Sequence, residues 1–554
     1  MRFAVISSSV LALLLSAAAA QTSPAVTNPG PAASPRLTFD QFTDQVIGRE
    51  HDIFKLMRNL HPIAETYVQD TRPDAQMGAV PVRDQYFLGR LSFKDGSFSE
   101  TSYLPEGSLR SRVLGEMSGK PSGADFSRYI LLDLQRLDRR HYDFIPVRGE
   151  MLGEVRCIVI DVHPLNSGNG YFKGRIWVED QDYHIVRING TYVGARAGSH
   201  FETWRINVLP HVWLPAYSYS EEPDEKSHLG PAIRFKALTR IWGYDLQHAG
   251  DLREFAQPLP DTVPGDASGK RGSGYDLSGQ LSVRQYQHST EDNIIERLQV
   301  AGLMAPSGDV DQVLQTVTNN LIVTNELDIK PAVRCRVLLT APLESFSFGH
   351  VIVVSRGLID VVPDEATLAA ILAHELAHVV LGDSSEDKYA SWRSLTFPNE
   401  QILQKFDFRL DAGREAAANN KAAELLAKSP YKDKLTQAGL FLKTLQVRAG
   451  ELPNLIQPHL GNGMQEGDQW RLADLAKSAP QVEMARVDQI AALPLGSRVK
   501  INPWNDRVEL SKAKPVPLRL ASEKIPFEIE PVFPYLKRVP DAPAMTPPNP
   551  APTQ

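Results

Sequence analysis

Hydrophobic and polar positions change their period along this chain. Phe39 to Leu60 reads as an opening helix, and beyond it the pattern becomes strand-like. The segments Arg156–Val162, Arg175–Val178, His184–Ile188, Thr203–Val208 and Ile233–Tyr244 carry β-branched and aromatic residues, and Gly, Asn, Asp or Pro separate them. That pattern predicts an antiparallel β unit. Trp177, Trp204, Trp213 and Trp242 fall in it and are expected to pack the sheet, with a hydrophobic-ligand surface as the rival use. Asn189-Gly190-Thr191 fits a glycosylation acceptor, but Asn-Gly is a preferred hairpin turn and is read as one. Helices are expected at about Glu291–Ala301 and Asp309–Leu321, then a strand around Cys335 (RCRVLLT) and a second strand, HVIVVSRG.

Composition shifts divide the chain. Residues 1–20 have a basic start at Arg2, an apolar stretch, and Ala18 and Ala20 before Gln21, the pattern of a cleaved secretory signal; an uncleaved anchor is the alternative. Residues 21–36 read as a linker, 37–257 as the β-rich domain, and 258–288 as a second linker, with five glycines between Gly265 and Gly279. A domain over 289–480, an extension over 481–538 and a Pro-rich solvated tail over 539–554 complete the division.

The totals narrow the chemistry. A length of 554 residues, 42% of them hydrophobic, suggests about three folded units. Lys plus Arg is 59 against 66 for Asp plus Glu, a net charge of −7 without a basic block, which argues against nucleic acid as a partner. With Cys157 and Cys335 the only cysteines, any metal must be held by His and carboxylates. The two could bridge the β domain to the rest of the chain or lie separately buried as thiols, and the sequence offers no geometric support for pairing.

The segment ATLAAILAHELAHVVLG, Ala366 to Gly382, carries the strongest signal. Asp364 precedes it as a helix N-cap and Gly382 stops it as a C-cap. Its only ionisable residues are His374, Glu375 and His378, so the helix should be buried, and a buried carboxylate with two imidazoles needs partners. His374 and His378 are four apart, on one helical face, and can present two nitrogens to one Zn²⁺, with Glu375 beside them to activate water. A catalytic zinc wants a third protein ligand. The segment LDAGREAAANNKAAELLAKSPY offers Glu415, Asp411 and Glu424, which spacing alone does not separate.

ESFSFGHVIVVSRGLIDVVPDEATLAAILAHELAHVVLG, followed by Glu415-Ala416-Ala417-Ala418-Asn419, resembles the core of metallopeptidase family 48. These are the HtpX-like and BepA-like zinc gluzincins, which include the CAAX prenyl proteases, and the resemblance runs from about Val310 to Tyr431. It implies that Glu415 is the third zinc ligand. Asn419 stands where the family has an aspartate, a departure expected to weaken the support of a ligand histidine. The segment ELPNLIQPHLGNGMQEGDQWRLADL is similar to the stretch in which a His-Pro pair and a later Arg approach the zinc, although Leu460 replaces the proline. The resemblance makes His459 an oxyanion stabiliser or gate, against an ordinary loop histidine, and gives Arg471 a place in the site, against a structural ion pair. It also makes Gly349–Ser355 an edge strand to which a substrate peptide adds. Further upstream, GRIWVEDQDYHIVRING and FETWRINVLPHVWLPAY resemble the half-barrel sheets of bacterial lipoprotein carriers over Glu154–Tyr244.

The expected protein is therefore α+β and multidomain: an antiparallel β-rich domain, a mainly helical zincin peptidase domain with a short edge-stranded sheet, and a small C-terminal extension. Its expected function is that of an exported, periplasmic or secreted zinc metalloendopeptidase. One Zn²⁺ per chain would be held by His374, His378 and Glu415, with Glu375 as general base and His459 and Arg471 assisting. The resemblance implies misfolded or misassembled envelope polypeptides as substrates. The alternatives are a chaperone-like binder with a gated or vestigial metal site, suggested by Asn419, and a lipid or lipoprotein carrier, suggested by the aromatic sheet.

Overall fold

The computed structural model describes residues 38–74, 78–94, 97–105, 123–132, 136–194, 199–223, 233–246, 279–383, 385–389, 392–466, 469–479, 499–502, 507–510, 529 and 531–540. The signal and linker expected over residues 1–36 lie outside these residues, as do 247–278 and 541–554. Among the described residues no helix is long and apolar enough to cross a membrane.

Helix α1 (Phe39–Leu60) begins with a capping box, in which Thr38 accepts from the Gln41 N–H and the Gln41 side chain accepts from the Thr38 N–H. Ten antiparallel strands then form one sheet: β1 (Ile63–Asp74), β2 (Gly78–Lys94), β3 (Ser97–Ser102), β4 (Tyr142–Leu152), β5 (Val155–Pro164), β6 (Phe172–Glu179), β7 (Ile185–Tyr192), β8 (His200–Leu209), β9 (Val212–Pro223) and β10 (Ile233–Trp242). Their order is β3-β2-β1-β10-β9-β8-β7-β6-β5-β4. Side chains alternate between its faces. Ala64 and Val68 of β1 join clusters with Leu56 and Val46 of α1, while Ile63 and Tyr67 join the cluster that contains Val351 to Val354 of the C-terminal half.

Several of these strands escape a sequence reading because proline interrupts them. Pro81 in β2 and Pro215 in β9 lie where the register shifts against the neighbouring strand, and Pro146 of β4 borders a third shift. A bulge tolerates a residue that cannot donate to the ladder. Asn189-Gly190, expected to be a turn, lies inside β7 instead. Gly190 pairs with Gly174 there, and a Cβ on it would come within 2.5 Å of the Lys173 carbonyl oxygen.

The C-terminal half is mainly helical, with α2 (Gly279–Val300), α3 (Asp309–Thr324), α4 (Arg356–Val361), α5 (Glu365–Leu381), α6 (Ala412–Ala427) and α7 (Thr436–Arg448). A three-stranded sheet accompanies them: β11 (Arg334–Leu338), β12 (Ser345–Phe348) and β13 (Val351–Ser355), in the order β11-β13-β12. Two expectations need correction. Residues 279–288, expected to be linker, belong to α2, which starts at Gly279, and the rest of that expected linker lies outside the described residues. The strand Gly349–Ser355 is not an edge: β13 is bonded to β11 on one side and β12 on the other, so the edge strands are β11 and β12.

The two halves share one core. Tyr67, Tyr86 and Trp242 of the large sheet lie in the same cluster as Met304, Phe346 and Leu372. Polar bonds cross the same boundary: Trp242 Nε1 donates to the Gly302 carbonyl at 2.7 Å, and Arg240 Nη2 donates to the Leu339 carbonyl at 2.8 Å. Asp84 accepts from the backbone of Asn454 and Leu455. Cys157 and Cys335 are free, buried and in different clusters, so no bridge ties the halves.

Candidate metal centre

Helix α5 runs between the caps read from the sequence. Asp364 accepts from the Thr367 N–H, and Gly382, at φ 73°, ends the helix with its N–H on the last-turn carbonyls. Ala366 to His378 are all buried, which puts His374, Glu375 and His378 inside the protein.

Helix α6 supplies the third group and resolves the choice that spacing left open. Asp411 is its N-cap, engaged by the N–H groups of Gly413 and Arg414, and Glu424 is paired with Lys421 at the surface. Glu415, in the first turn, is buried against both histidines. His374 Nε2 and His378 Nε2 stand 3.2 Å apart. The Glu415 carboxylate lies 3.2 Å from the first and 3.4 Å from the second. Ligands about 2.0–2.1 Å from a tetrahedral zinc lie about 3.3–3.4 Å from one another, so one such ion matches this triangle. Among the described residues this is the group of His and carboxylates able to hold a metal.

Protonation favours ligation at His374 and Glu415 and opposes it at His378. Burial and then Arg471 lower the pKa of His374, in spite of Glu415. Burial opposes charge at His378 too, but Glu415, Glu375 and Asp383 outweigh it and raise that pKa. Burial likewise opposes ionisation of Glu415, yet Arg471 and the two imidazoles hold its carboxyl well below the usual range. His378 Nδ1 lies 2.9 Å from Asp383 Oδ2, and a ring that donates there keeps Nε2 as a bare lone pair.

Glu375 has two unlike oxygens. Oε1 accepts from Ser345 Oγ at 2.7 Å and from Arg471 Nη1 at 2.8 Å, whereas buried Oε2 has no hydrogen-bond partner. Arg471 also reaches Glu415 through Nε at 3.2 Å, so one buried guanidinium spans the two carboxylates. The structure thus brings Arg471 together with His374, Glu375, His378 and Glu415.

His459 is engaged with other partners. Its ring stacks on Tyr86 of β2, with centroids 5.4 Å apart, its backbone N–H donates to Glu344, and its buried Nε2 has no hydrogen-bond partner. Burial pushes its pKa down to about 4, and burial pushes that of Glu344 up to about 7 against the N–H groups it accepts. Asn419 does not support a ligand histidine through its Oδ1, which accepts from the Leu472 N–H at 2.9 Å and so pins the residue next to Arg471. Sequence reasoning missed Asp383 and Ser345. Asp383 had a signal, a carboxylate directly after the Gly382 stop and five residues beyond His378; Ser345 had none.

No curated protein matches the chain. Solved structures that align with part of it include a LolA superfamily protein from Nitrosomonas europaea, at 9% identity over 36% of this chain and 90% of that one, with a TM-score of 0.20. A DUF1329 family protein from Desulfovibrio piger aligns at 13% identity over 39% and 97%, with a TM-score of 0.21. The MucA/MucB complex from Pseudomonas aeruginosa aligns at 10% over 38% and 95%, with a TM-score of 0.14. Residues 312–428, the stretch that holds His374, Glu375, His378 and Glu415, match the model described as Peptidase family M48, so this stretch is similar to a metallopeptidase domain.

Proposed function

We propose that this protein is an exported zinc-dependent endopeptidase that cleaves unfolded or misassembled envelope polypeptides. One observation carries the reading: three buried donor atoms converge at zinc-ligand spacing beside a carboxylate with one unengaged oxygen. Two imidazole nitrogens and a carboxylate suit zinc, which when bound supplies a Lewis acid for the scissile carbonyl and for water.

The chain's own groups do the rest. Ser345 and Arg471 hold Oε1 of Glu375, which leaves Oε2 to take a proton from water and deliver it to the departing amine. Arg471 keeps Glu375 and Glu415 in register with each other. Asp383 fixes the ring of His378. Edge strand β12, which begins at Ser345, lies beside the base and would accept an extended peptide by main-chain bonding, a mode indifferent to most side chains. That supports unfolded polypeptide as the substrate class. Residues 1–20 support export.

A second reading, a binding protein whose metal site is held closed, is favoured by the segment after Ile456. Gly461 packs so tightly on β12 that a Cβ there would lie 2.5 Å from Phe346 Cβ. Metal analysis with a casein assay separates the two. The endopeptidase reading expects about one zinc per chain and activity abolished by a chelator and restored by zinc. Full zinc occupancy without cleavage would favour the closed site, and cleavage by zinc-free protein would overturn the metal mechanism.

A further inference from the structure

The face of the large sheet away from α1 is covered in two parts. The peptidase half covers β1, β2 and β10, and the chain's last described segment covers the other end. Residues 531–540 belong to no helix or strand, and burial alternates along their middle: Pro534 and Leu536 are buried, while Phe533, Tyr535 and Lys537 are exposed. An extended peptide laid on a surface has this two-residue period.

Three features receive it. The first is a notch at the β4–β5 turn, where the Leu536 carbonyl accepts from the Glu154 N–H at 2.8 Å. Gly153 beside it has φ 67°, and a Cβ there would come within 2.6 Å of the Leu536 backbone nitrogen. The second is an aromatic row across β6, β7 and β8: Trp177, Arg187 and Trp204 are register partners, with the Arg187 guanidinium over both indoles and 5.7 Å from the Phe533 ring. The third is an arginine pocket. Glu179 is fully buried and accepts the N–H groups of Gln181, Asp182 and His184, and Arg538 Nη2 donates to it at 2.5 Å. Asp180 lies 3.4 Å and Asp182 3.9 Å from the same guanidinium, with the Trp213 ring at 5.8 Å. Arg156 and His211 face the rim, paired with Asp180 and Asp182 respectively. Beyond the pocket the Val539 N–H donates to Asn207 Oδ1 at 2.6 Å.

The pocket is complete without the segment. Three backbone N–H groups already orient Glu179, so the carboxylate is a preorganised receptor for a cation and not a group that needs Arg538 in order to be satisfied. We propose that this face is a binding site for an extended peptide bearing arginine two residues after an apolar side chain, and that the chain's own segment Pro531–Val539 occupies it in cis as a displaceable strap. Guanidinium suits the pocket better than ammonium, because its planar fork addresses several carboxylates at once.

The test uses full-length protein and a fluorescently labelled peptide of residues 529–540. Wild-type protein, whose site is filled, should take up little peptide. Arg538→Glu should exchange the backbone amides of 531–539 about tenfold faster or more and should bind the peptide, whereas a peptide carrying the same change should not bind. Unchanged exchange in that variant overturns the role of the arginine, and faster exchange without peptide uptake overturns the binding site. Should Arg538→Glu not fold, a large excess of unlabelled peptide must speed exchange of 531–539 in the wild type by mass action, and failure to do so is equally decisive. Sizing of the same samples separates a strap seated in cis from one swapped between two copies; a wild-type dimer held by exchanged straps would overturn the assignment in cis.

Discussion

Two regions of this protein bury charge to the same depth and use it differently. Under α1, Glu50 and Arg205 are wholly buried and answer each other: both carboxylate oxygens accept from the guanidinium, at 2.6 and 2.7 Å, and Nη1 also reaches the Ile185 carbonyl. At the metal centre, Glu375 and Glu415 share the single guanidinium of Arg471, and His374 Nδ1 and Glu375 Oε2 have no hydrogen-bond partner. In the first pair both carboxylate oxygens are engaged and only a donor, Arg205 Nε, is left without a partner, and the pair fastens a helix to a sheet. The second converges Nε2 of both histidines and the Glu415 carboxylate on one point, with Glu375 Oε2 unengaged beside them, and such a cluster is stabilised when something else completes it. Buried charge is thus no mark of function by itself; what counts is the acceptor capacity left over.

The sharpest way to break this contrast is Glu375→Gln. It should retain zinc and fold while losing about a thousandfold or more in kcat/KM, equivalent to about 4 kcal/mol at the transition state. Peptidase activity near that of the wild type would remove Glu375 as base. Next comes the closed pair, where Arg205→Met strands the Glu50 carboxylate. Urea unfolding should show a loss of about 3–5 kcal/mol with zinc content per folded chain unchanged, and a loss below about 1 kcal/mol would mean that the pair is not what holds α1.

Asp383→Asn should spare stability but weaken zinc about 10- to 100-fold in a competition titration, because the His378 ring loses its charged acceptor. An unchanged affinity would place Asp383 outside the site. The smallest effect belongs to Asn419→Asp. A carboxylate would accept the same Leu472 N–H and would still not support a ligand histidine, so zinc affinity should stay within about twofold. A rise of about tenfold would return position 419 to the role suggested by family resemblance.

The four tryptophans of the sheet bear on the carrier alternative. Trp177, Trp204, Trp213 and Trp242 are all at most 5% exposed, packed with Leu536 or against the C-terminal half, so the sheet presents no open aromatic surface while residues 531–540 are seated. Asn419 no longer argues for a vestigial site either, since its partner is a backbone N–H.

Legibility followed the range of the interactions. Helix α5, its caps and the facing pair His374 and His378 were readable because a helix repeats every 3.6 residues and its ends are marked by local hydrogen bonds. Helix α1 carried the same kind of local signal in Thr38 and Gln41. The proline-bearing strands β2 and β9 were not readable, because a bulge is licensed by the neighbouring strand. Nor was the edge position of β12, which depends on the parallel pairing of β11 with β13.

By itself the sequence determined the buried helix with its two imidazoles and carboxylate, the change from a β-rich to a helical half, and the short list of third ligands. The tertiary structure brought Glu415, which family resemblance had already implied, and not Asp411 or Glu424, to the two imidazoles, and it alone moved Asn419 from the metal to Leu472, set His459 against Tyr86, and laid Leu536 and Arg538 across a sheet formed hundreds of residues earlier. Caps and helical faces are decided by neighbours within a turn or two, whereas each of these placements is a contact between distant segments. Their partners are brought together by the packing of the shared core, which no local pattern encodes.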